Sequence, residues 1–456
     1  MAAKASPYLW AKVATSAGAG GCCCGIVSYT RKAWPYLWPG KARAMSKKII
    51  NDPVHGFITV SSPAILEVIN HPWMQRLRRI KQLGLTELVY PGALHTRFHH
   101  ALGAMHLMNL AMGTLADRGY DINPTECEAA MLAILLHDVG HGPFSHALEH
   151  SLLADTTHEE VGLLMMRRLA RQVPQVELAM QMFENTYRRR FFHQLVSSQL
   201  DCDRLDYLRR DSFFTGVTEG TIGAGRIIKM LDLDEAQQRI VVQEKGIYSV
   251  ENFLNSRRVM YWQVYLHKTA ICAEEMLIRL IRRARALTER GDAVPAPDYL
   301  AVFFKRRLSQ GDFEDDADLL DCYAQLDDAD IWTCIKAWQR HPDPILSYLS
   351  RCLVERRLFR VTINTRPPEP DWQARNRQRV AEFFRIDPAD AEYLLIEGEV
   401  SNAAYLPQMP IYIKRRNGFV QEVTEASDLP HIAAMAQRVV KYYSCWPKEM
   451  EQVIKN

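Results

Sequence analysis

The stretch Leu136-His137-Asp138-Val139-Gly140-His141-Gly142-Pro143-Phe144-Ser145-His146 carries more chemistry than any other in this 456-residue chain. It closes an apolar run. An ionised carboxylate at the end of a buried helix is costly unless it is paired or binds a cation. A divalent metal would satisfy the His137 imidazole and the Asp138 carboxylate together. For an adjacent His-Asp alone, an internal hydrogen bond is the simpler reading. His99-His100 upstream and Asp201-Cys202-Asp203 downstream change that balance. All three pieces fall on expected helices, and helical bundles hold metals on inward-facing side chains. Asp201 and Asp203 are alternatives for the last position. Asp203, Tyr207 and Asp211 share one helical face, which favours Asp203.

Further residues cluster by spacing. Arg257, Tyr261, Tyr265 and Lys268 can face one cavity from one helix, although a helical arginine is by itself usually solvated. His141, His146 and His158 are three more histidines near the same motif, and packing alone is a poor account of all three. His146 and Glu149 stand three apart at a helix start. There a carboxylate orients an imidazole and raises its pKa, so that the protonated ring can give its proton away.

The elements that must position these residues are mainly helical. Ile49–Asp52 and Phe57–Val60 read as a hairpin, and Ser62-Pro63 opens a helix that His71-Pro72 ends. Helices are expected over Gln75–Leu83, about 96–116 and 126–136, the last apolar nearly all round and therefore central. Others fit about 144–153, 157–171, 174–184, 188–211, 221–231 and 250–288. Ile240–Val242 and Ile247-Tyr248 suggest a small hairpin. The segment 291–297, with Pro295 and Pro297, reads as a linker. Beyond it, strands at 358–363 and 411–413 mix with helices. The expected architecture is mainly α: a bundle over 45–290 and a smaller α+β region over 298–456.

Composition narrows the classes. The chain is 48% hydrophobic, enough for a large core. Residues 1–44 carry six basic residues and no acidic one, which leaves a net −3 on the remainder of a chain of formal charge +3. A mildly acidic body does not suit a general nucleic-acid binder. The ten cysteines show no CxxC pair, so free thiols in a reducing, cytoplasmic setting are expected. No apolar run approaches a membrane span. Residues 1–44 lack helical or strand period and are expected to be a disordered or non-native extension ahead of Met45.

Motifs in register identify a family. Asn51-Asp52-Pro53-Val54-His55-Gly56, Gln75-Arg76-Leu77-Arg78, Ile80-Lys81-Gln82-Leu83-Gly84, Pro91-Gly92-Ala93 and Arg97-Phe98-His99-His100 stand in order. His137 to His146, Thr157-His158-Glu159 and Asp203-Arg204-Leu205-Asp206-Tyr207 follow. From about Ile49 to Leu277 the chain resembles the HD-domain superfamily, in its deoxynucleoside triphosphate triphosphohydrolase branch. The resemblance implies His100, His137, Asp138 and Asp203 as metal ligands. That set suits manganese, iron or magnesium, with zinc possible, better than a closed structural zinc site. It implies Gln82 and Asp211 at the sugar 3′-hydroxyl, and Leu83 and Tyr265 against the 2′ carbon; plain core packing is the other reading of Leu83. Tyr207 belongs to the same substrate set. Arg97, Arg204, Arg257 and Lys268 fall in the phosphate region. Arg204 stands where the family commonly has lysine, which keeps the charge but not the geometry. The implied reaction is attack of a metal-activated water on the α-phosphorus, with His141 and His158 on the phosphates and His146, oriented by Glu149, protonating the leaving 5′-oxygen. The products would be a deoxynucleoside and inorganic triphosphate.

The branch also implies a homo-oligomer with a nucleotide activator between subunits. Lys48, Asn70, Gln75 and Arg78 match that regulatory site. Asn70 replaces an aspartate that reads guanine; an amide offers one acceptor and a donor where a carboxylate offers acceptors only. Weak guanine selectivity is therefore expected, and a turn-capping role for Asn70 is the alternative. Two other functions have their own signatures: HD phosphohydrolysis of a nucleoside monophosphate or signalling nucleotide, which releases no triphosphate, and an inactive HD protein that binds nucleic acid, which shows salt-sensitive binding without turnover. A chain beginning at Met45 is expected to retain both melting temperature and hydrolytic rate; loss of either on removing residues 1–44 would show that the segment belongs to the working protein.

Overall fold

The computed structural model describes residues 47–455, apart from Ser145, His146, Glu149, His150, Leu152, Ala154, Asp155 and Arg307. The expectation for residues 1–44 lies outside them. The chain opens with a hairpin of β1 (Lys48–Asp52) and β2 (Gly56–Val60), paired Lys48↔Val60 to Asp52↔Gly56. Its turn uses Gly56 at φ +77°, a conformation that favours glycine, and the Asp52 carboxylate accepts from the Val54 and His55 amides.

Helix starts follow local chemistry. Helix α1 (Pro63–Asn70) has Ser62 accepting from the Ile65 amide and Pro63 in its first turn. His71 then caps α2 (Pro72–Arg76). The helix expected over Gln75–Leu83 ends early, in a single 3-10 turn at Leu77–Arg79. The reason is pairing with a later segment: Gln82 N–H donates to the His95 carbonyl and Arg97 N–H to that of Ile80. Thr96 then starts α3 (Arg97–Asp117), with the His99 ring serving the cap. Asn123 and Glu126 form a capping box on α4 (Pro124–Leu136), which is buried on nearly all sides. Buried Glu126 is held by Arg189 at 2.8 Å and by the Tyr187 hydroxyl at 2.6 Å.

Next come α5 (His158–Ala170), α6 (Val176–Phe183), α7 (Phe191–Val196) and α8 (Cys202–Thr215). One helix was expected over 188–211; Asp201 divides it by accepting from the Ser198 and Arg204 amides and capping α8. The expected 144–153 helix falls largely outside the described residues. Helix α9 (Ala224–Lys229) leads to β3 (Leu231–Asp234) and β4 (Arg239–Gln243). The hairpin is therefore β3 with β4, and Ile247-Tyr248 instead begin α10 (Ile247–Met260). A π-turn over Tyr261–Tyr265 breaks the long expected helix before α11 (Lys268–Glu289), capped by His267.

Beyond residue 297 helices mix with short strands, among them α12 (Asp328–Trp338). The expected strands appear as β5 (Arg360–Asn364) and β7 (Tyr412–Lys414), joined by β6 (Ile396–Asn402), β8 (Val420–Glu422) and β9 (Val439–Trp446). One sheet has the order β5-β9-β6 and another β3-β4-β7-β8. The second sheet takes strands from both sides of the 291–297 segment through the parallel pair Val242↔Ile413. The architecture is mainly α with a smaller α+β part. All seven described cysteines are free, and no described helix is long and apolar enough to cross a membrane.

The centre of the bundle is the crossing of α3 and α8. A β-carbon at Gly103 would overlap the Asp206 carboxylate and the Arg210 guanidinium, both fully buried. Gly103→Ala should therefore cost about 1–3 kcal/mol through overpacking, seen as a lowered melting temperature; an unchanged melting curve would contradict this packing.

Candidate metal and active site

Three helices meet at one point. His100 comes from the first turn of α3, His137 from the end of α4 and Asp203 from the first turn of α8. Their ligand atoms form a group that could hold a metal ion. His100 Nε2 lies 3.0 Å from Asp203 Oδ1 and 3.3 Å from His137 Nε2. His137 Nε2 is 3.5 Å from that same oxygen and 3.2 Å from Asp138 Oδ1. Two imidazole nitrogens facing each other among carboxylates suit a cation between them. Asp201, the alternative to Asp203, is engaged in capping α8 and pairs with Arg204.

The outer hydrogen bonds fix which ring nitrogens face inward. His137 Nδ1 donates to the Ile134 carbonyl at 2.6 Å, which leaves Nε2 facing the candidate metal group. His100 Nδ1 lies 2.8 Å from Asp206 Oδ2, the arrangement that orients a metal-ligating histidine. Asp206 also receives His55 Nε2 at 2.6 Å and Arg210 at 2.8 and 2.9 Å. Arg210 in turn reaches Asp52 at 2.8 Å. Burial works against the charge on Asp206, yet Arg210, His100 and His55 hold it well below the usual carboxylate range. Burial would likewise lower His100, but Asp203 and Asp206 outweigh it and lift the imidazolium to about 10. Asp206, Arg210, Asp52 and His55 had no assigned role in the sequence reading. Their signal was there in the Asn51–Gly56 and Asp203–Tyr207 motifs, but an Asp and an Arg four apart also describe an exposed helix pair.

Asp138, expected as a fourth ligand, lies beside the group of His100, His137 and Asp203 and not within it, and its Oδ2 accepts from Arg97 at 2.6 Å. His141 Nε2 lies 3.2 Å from Asp138 Oδ1, and the His141 ring stacks on His158 with centroids 3.8 Å apart. Burial first, and then the Arg97 charge, keep His141 well below its usual pKa and hence neutral. Gly140 permits this stack, because a β-carbon there would overlap the His158 carbonyl and Gly162. His146 and Glu149 lie outside the described residues.

The motif loop is strapped from a distance. Arg76, fully buried, donates to the Val139 and His141 carbonyls at 2.8 Å and to that of Leu326 at 3.1 Å. The Tyr323 hydroxyl donates to the Gly140 carbonyl at 2.8 Å. Asp328 accepts from the Phe144 amide at 3.0 Å and the Lys81 amide at 2.9 Å. Burial pushes the Asp328 carboxyl up to about 6, against those two amides.

The remaining candidates divide. Asp211 accepts from the Tyr265 hydroxyl at 2.7 Å, and its other oxygen lies 2.7 Å from His95 Nε2. Tyr207 stands between His100 and Tyr265, with centroids 6.4 and 6.0 Å away. Gln82 Oε1 is buried without a hydrogen-bond partner, and Leu83 packs half-buried against the core. Arg204 pairs with Asp201 and lies 3.9 Å from Asp203. Arg257 is buried, reaches Gln199 at 3.5 Å and lies over the Tyr261 ring. Lys268 is exposed at the start of α11. Of the regulatory set, Gln75 accepts from Arg78 at 2.8 Å and Arg78 lies over Phe98. Lys48 and Asn70 are exposed; His71, not Asn70, supplies the turn cap.

Known proteins resemble this chain in sequence and in fold. The HD domain family matches residues 97–210 and the HD associated region matches residues 222–295. A solved phosphohydrolase from Bacteroides thetaiotaomicron is 45% identical with a TM-score of 0.85, covering 88% of this chain and 100% of that one. Uncharacterized protein YwfO of Bacillus subtilis is 31% identical over 89% of this chain and 93% of its own. Human deoxynucleoside triphosphate triphosphohydrolase SAMHD1 is 28% identical over 50% of this chain; the match spans 43% of the human protein. Asp206→Asn, which weakens the acceptor behind His100, should reduce manganese affinity about 10–100-fold in a calorimetric titration; parent-like affinity would remove Asp206 from that role.

Proposed function

This chain belongs to the HD-domain phosphohydrolases, and within that family we propose that it hydrolyses deoxynucleoside triphosphates to deoxynucleoside and inorganic triphosphate. The observation that carries the proposal is the convergence of His100, His137 and Asp203 from three helices, with Asp138 beside them, next to the Tyr207–Tyr265–Asp211 wall. Two imidazoles and carboxylates fit a divalent metal with open positions. Bound there, such a metal would supply Lewis acidity and lower the pKa of a water.

The chain's own residues would do the rest. Asp206 and the Ile134 carbonyl hold the two ligating rings in one tautomer. Arg97 neutralises Asp138 and brings positive charge to where phosphate oxygens would lie. Neutral His141, stacked on His158, is suited to donate a hydrogen bond to a phosphate. Arg204 and Arg257 add fixed cations, and exposed Lys268 would reach the same phosphates from the start of α11. The proposed donor to the leaving 5′-oxygen is His146, which Glu149 would orient.

For the sugar, Gln82 Oε1 is a buried acceptor with an unmet bond, which suits a 3′-hydroxyl. Asp211 would share that hydroxyl. Tyr265, its hydroxyl held by Asp211, and Leu83 would crowd the 2′ carbon. Support for the triphosphate substrate also comes from the human relative, a deoxynucleoside triphosphate triphosphohydrolase. We assign the HD unit to residues 45–290 and the accessory α+β region to 298–456. A homo-oligomer with an activating nucleotide near Lys48, Asn70, Gln75 and Arg78 is part of the same reading.

Two outcomes test it. His137→Ala and Asp203→Ala should lose bound metal, by elemental analysis, and drop triphosphate release to background while circular dichroism stays helical; full metal with normal turnover would defeat the ligand assignment. The parent should cleave dATP about 100-fold faster than ATP, the scale on which a tight apolar wall rejects one added hydroxyl. Equal rates, or phosphate or pyrophosphate as the product, would defeat the sugar and substrate assignments respectively.

A further inference from the structure

A cavity of about 420 Å³ opens between α7 and the β4 and β7 strands, shares no lining residue with the candidate metal group, and is bounded by Arg190, His193, Gln199, Gln238, Arg239 and Tyr412 among others. Its volume lies in the range of small-ligand sites. Its charged lining has one sign: two guanidiniums and no carboxylate. Arg239 is fixed in place, paired with Asp234 and stacked 3.8 Å over the Tyr412 ring. Arg190 has no carboxylate partner among the described residues. His193 Nδ1 donates to the Met182 carbonyl at 3.2 Å, so Nε2 is the ring atom left for another partner. Gln238 Oε1 is buried with no hydrogen bond.

We infer that this cavity is a second ligand site, for a small phosphate-bearing molecule. Guanidinium groups match phosphate oxygens in charge and geometry, while His193 and the Gln238 carboxamide provide the polar contacts that a sugar or base would use. Occupancy is wired to the candidate active site. The Gln199 carboxamide forms part of the cavity wall; it donates to the Leu406 and Met409 carbonyls at 2.7 and 2.6 Å and accepts from the Leu406 amide at 2.7 Å. The same oxygen receives Arg257, which also reaches the Ala404 carbonyl at 3.4 Å. The 404–412 segment thus touches the cavity on one side and Arg257 on the other. A ligand that orders this segment changes how Arg257 is held. This coupling rests on the reading of Arg257 as a substrate-binding residue; the site itself does not.

Hydrogen exchange on the full chain tests both parts, with inorganic pyrophosphate, ATP and dATP as separate probes. The expected result is a several-fold slowing of exchange in 190–200 and 404–412, abolished by Arg190→Glu, while residues 97–103 and 203–211 report the active site independently. A response to ATP or dATP but not pyrophosphate assigns a nucleotide; a response to pyrophosphate assigns the phosphate group alone. No slowing with any probe, or slowing unchanged in Arg190→Glu, overturns the site. Because exchange needs no turnover, this readout survives even if the chain does not hydrolyse dNTPs. For the coupling, the effective probe should change the steady-state hydrolysis rate at least twofold in the parent and not in Arg190→Glu; equal rates with and without probe in the parent overturn it.

Discussion

The Asp206 carboxylate governs this molecule. It is fully buried and receives His55, His100 and Arg210 together. A buried carboxylate is tolerable only where donors and opposite charge meet nearly all its lone pairs, and here three elements are recruited to do so. The hairpin contributes Asp52 and His55, α3 contributes His100, and α8 contributes Asp206 and Arg210. Removing one partner of such a pair typically costs about 3–5 kcal/mol because a charge is left stranded. The cluster therefore fixes the register of α8 against α3, and Gly103 provides the room for it. That register, in turn, puts Asp203 one turn earlier on α8 at the His100 ring. The candidate metal group is thus positioned by a charge cluster that shares only His100 with it.

A second constraint arrives from far along the chain. The HD domain match ends at residue 210 and the associated region at 295, yet Tyr323, Leu326 and Asp328 hold the Gly140, Arg76 and Phe144 groups around the motif loop. Backbone carbonyls at Val139, Gly140 and His141 are all taken by side chains from other elements. A loop whose carbonyls are pinned this way offers its side chains, Asp138 and His141, with little freedom to swing. Preorganisation of this kind is what lets charged groups act on a reacting centre without first rearranging. Tyr323, Leu326 and Asp328 thus contribute to the geometry of the candidate site from well outside the three described candidate ligands.

What could be read in the sequence follows from range. Caps and breakers act within a few residues, so Ser62-Pro63 announced its helix, and the His-Asp pair with its flanking histidines pointed to the candidate site. The misreadings come from interactions the local pattern does not contain. The Gln75–Leu83 helix is cut short by pairing of 80–82 with 95–97. The 188–211 helix is divided by an Asp201 cap that looked like a spare ligand. The hairpin near 240 pairs backward with Leu231–Asp234, through a turn whose Gln238 adopts φ +49° without a glycine to signal it. Strands β6 and β9 went unread because their partners lie tens of residues away.

The same distinction separates the two kinds of charged residue in this fold. Asp203-Arg204-Leu205-Asp206-Tyr207-Leu208-Arg209-Arg210-Asp211 is polar enough to pass for a solvated helix, and composition alone would leave it on the surface. Instead Asp206, Arg210 and Asp211 are buried, each charge met by a partner from another element. A polar helix driven through a core is a demanding arrangement, since any one substitution strands a charge. It persists here because α8 serves three tasks from successive turns: Asp203 at the candidate metal group, Asp206 and Arg210 in the charge cluster, and Asp211 with Tyr265 and His95 at the proposed sugar wall. An apolar helix would pack at least as well, but could supply none of these contacts.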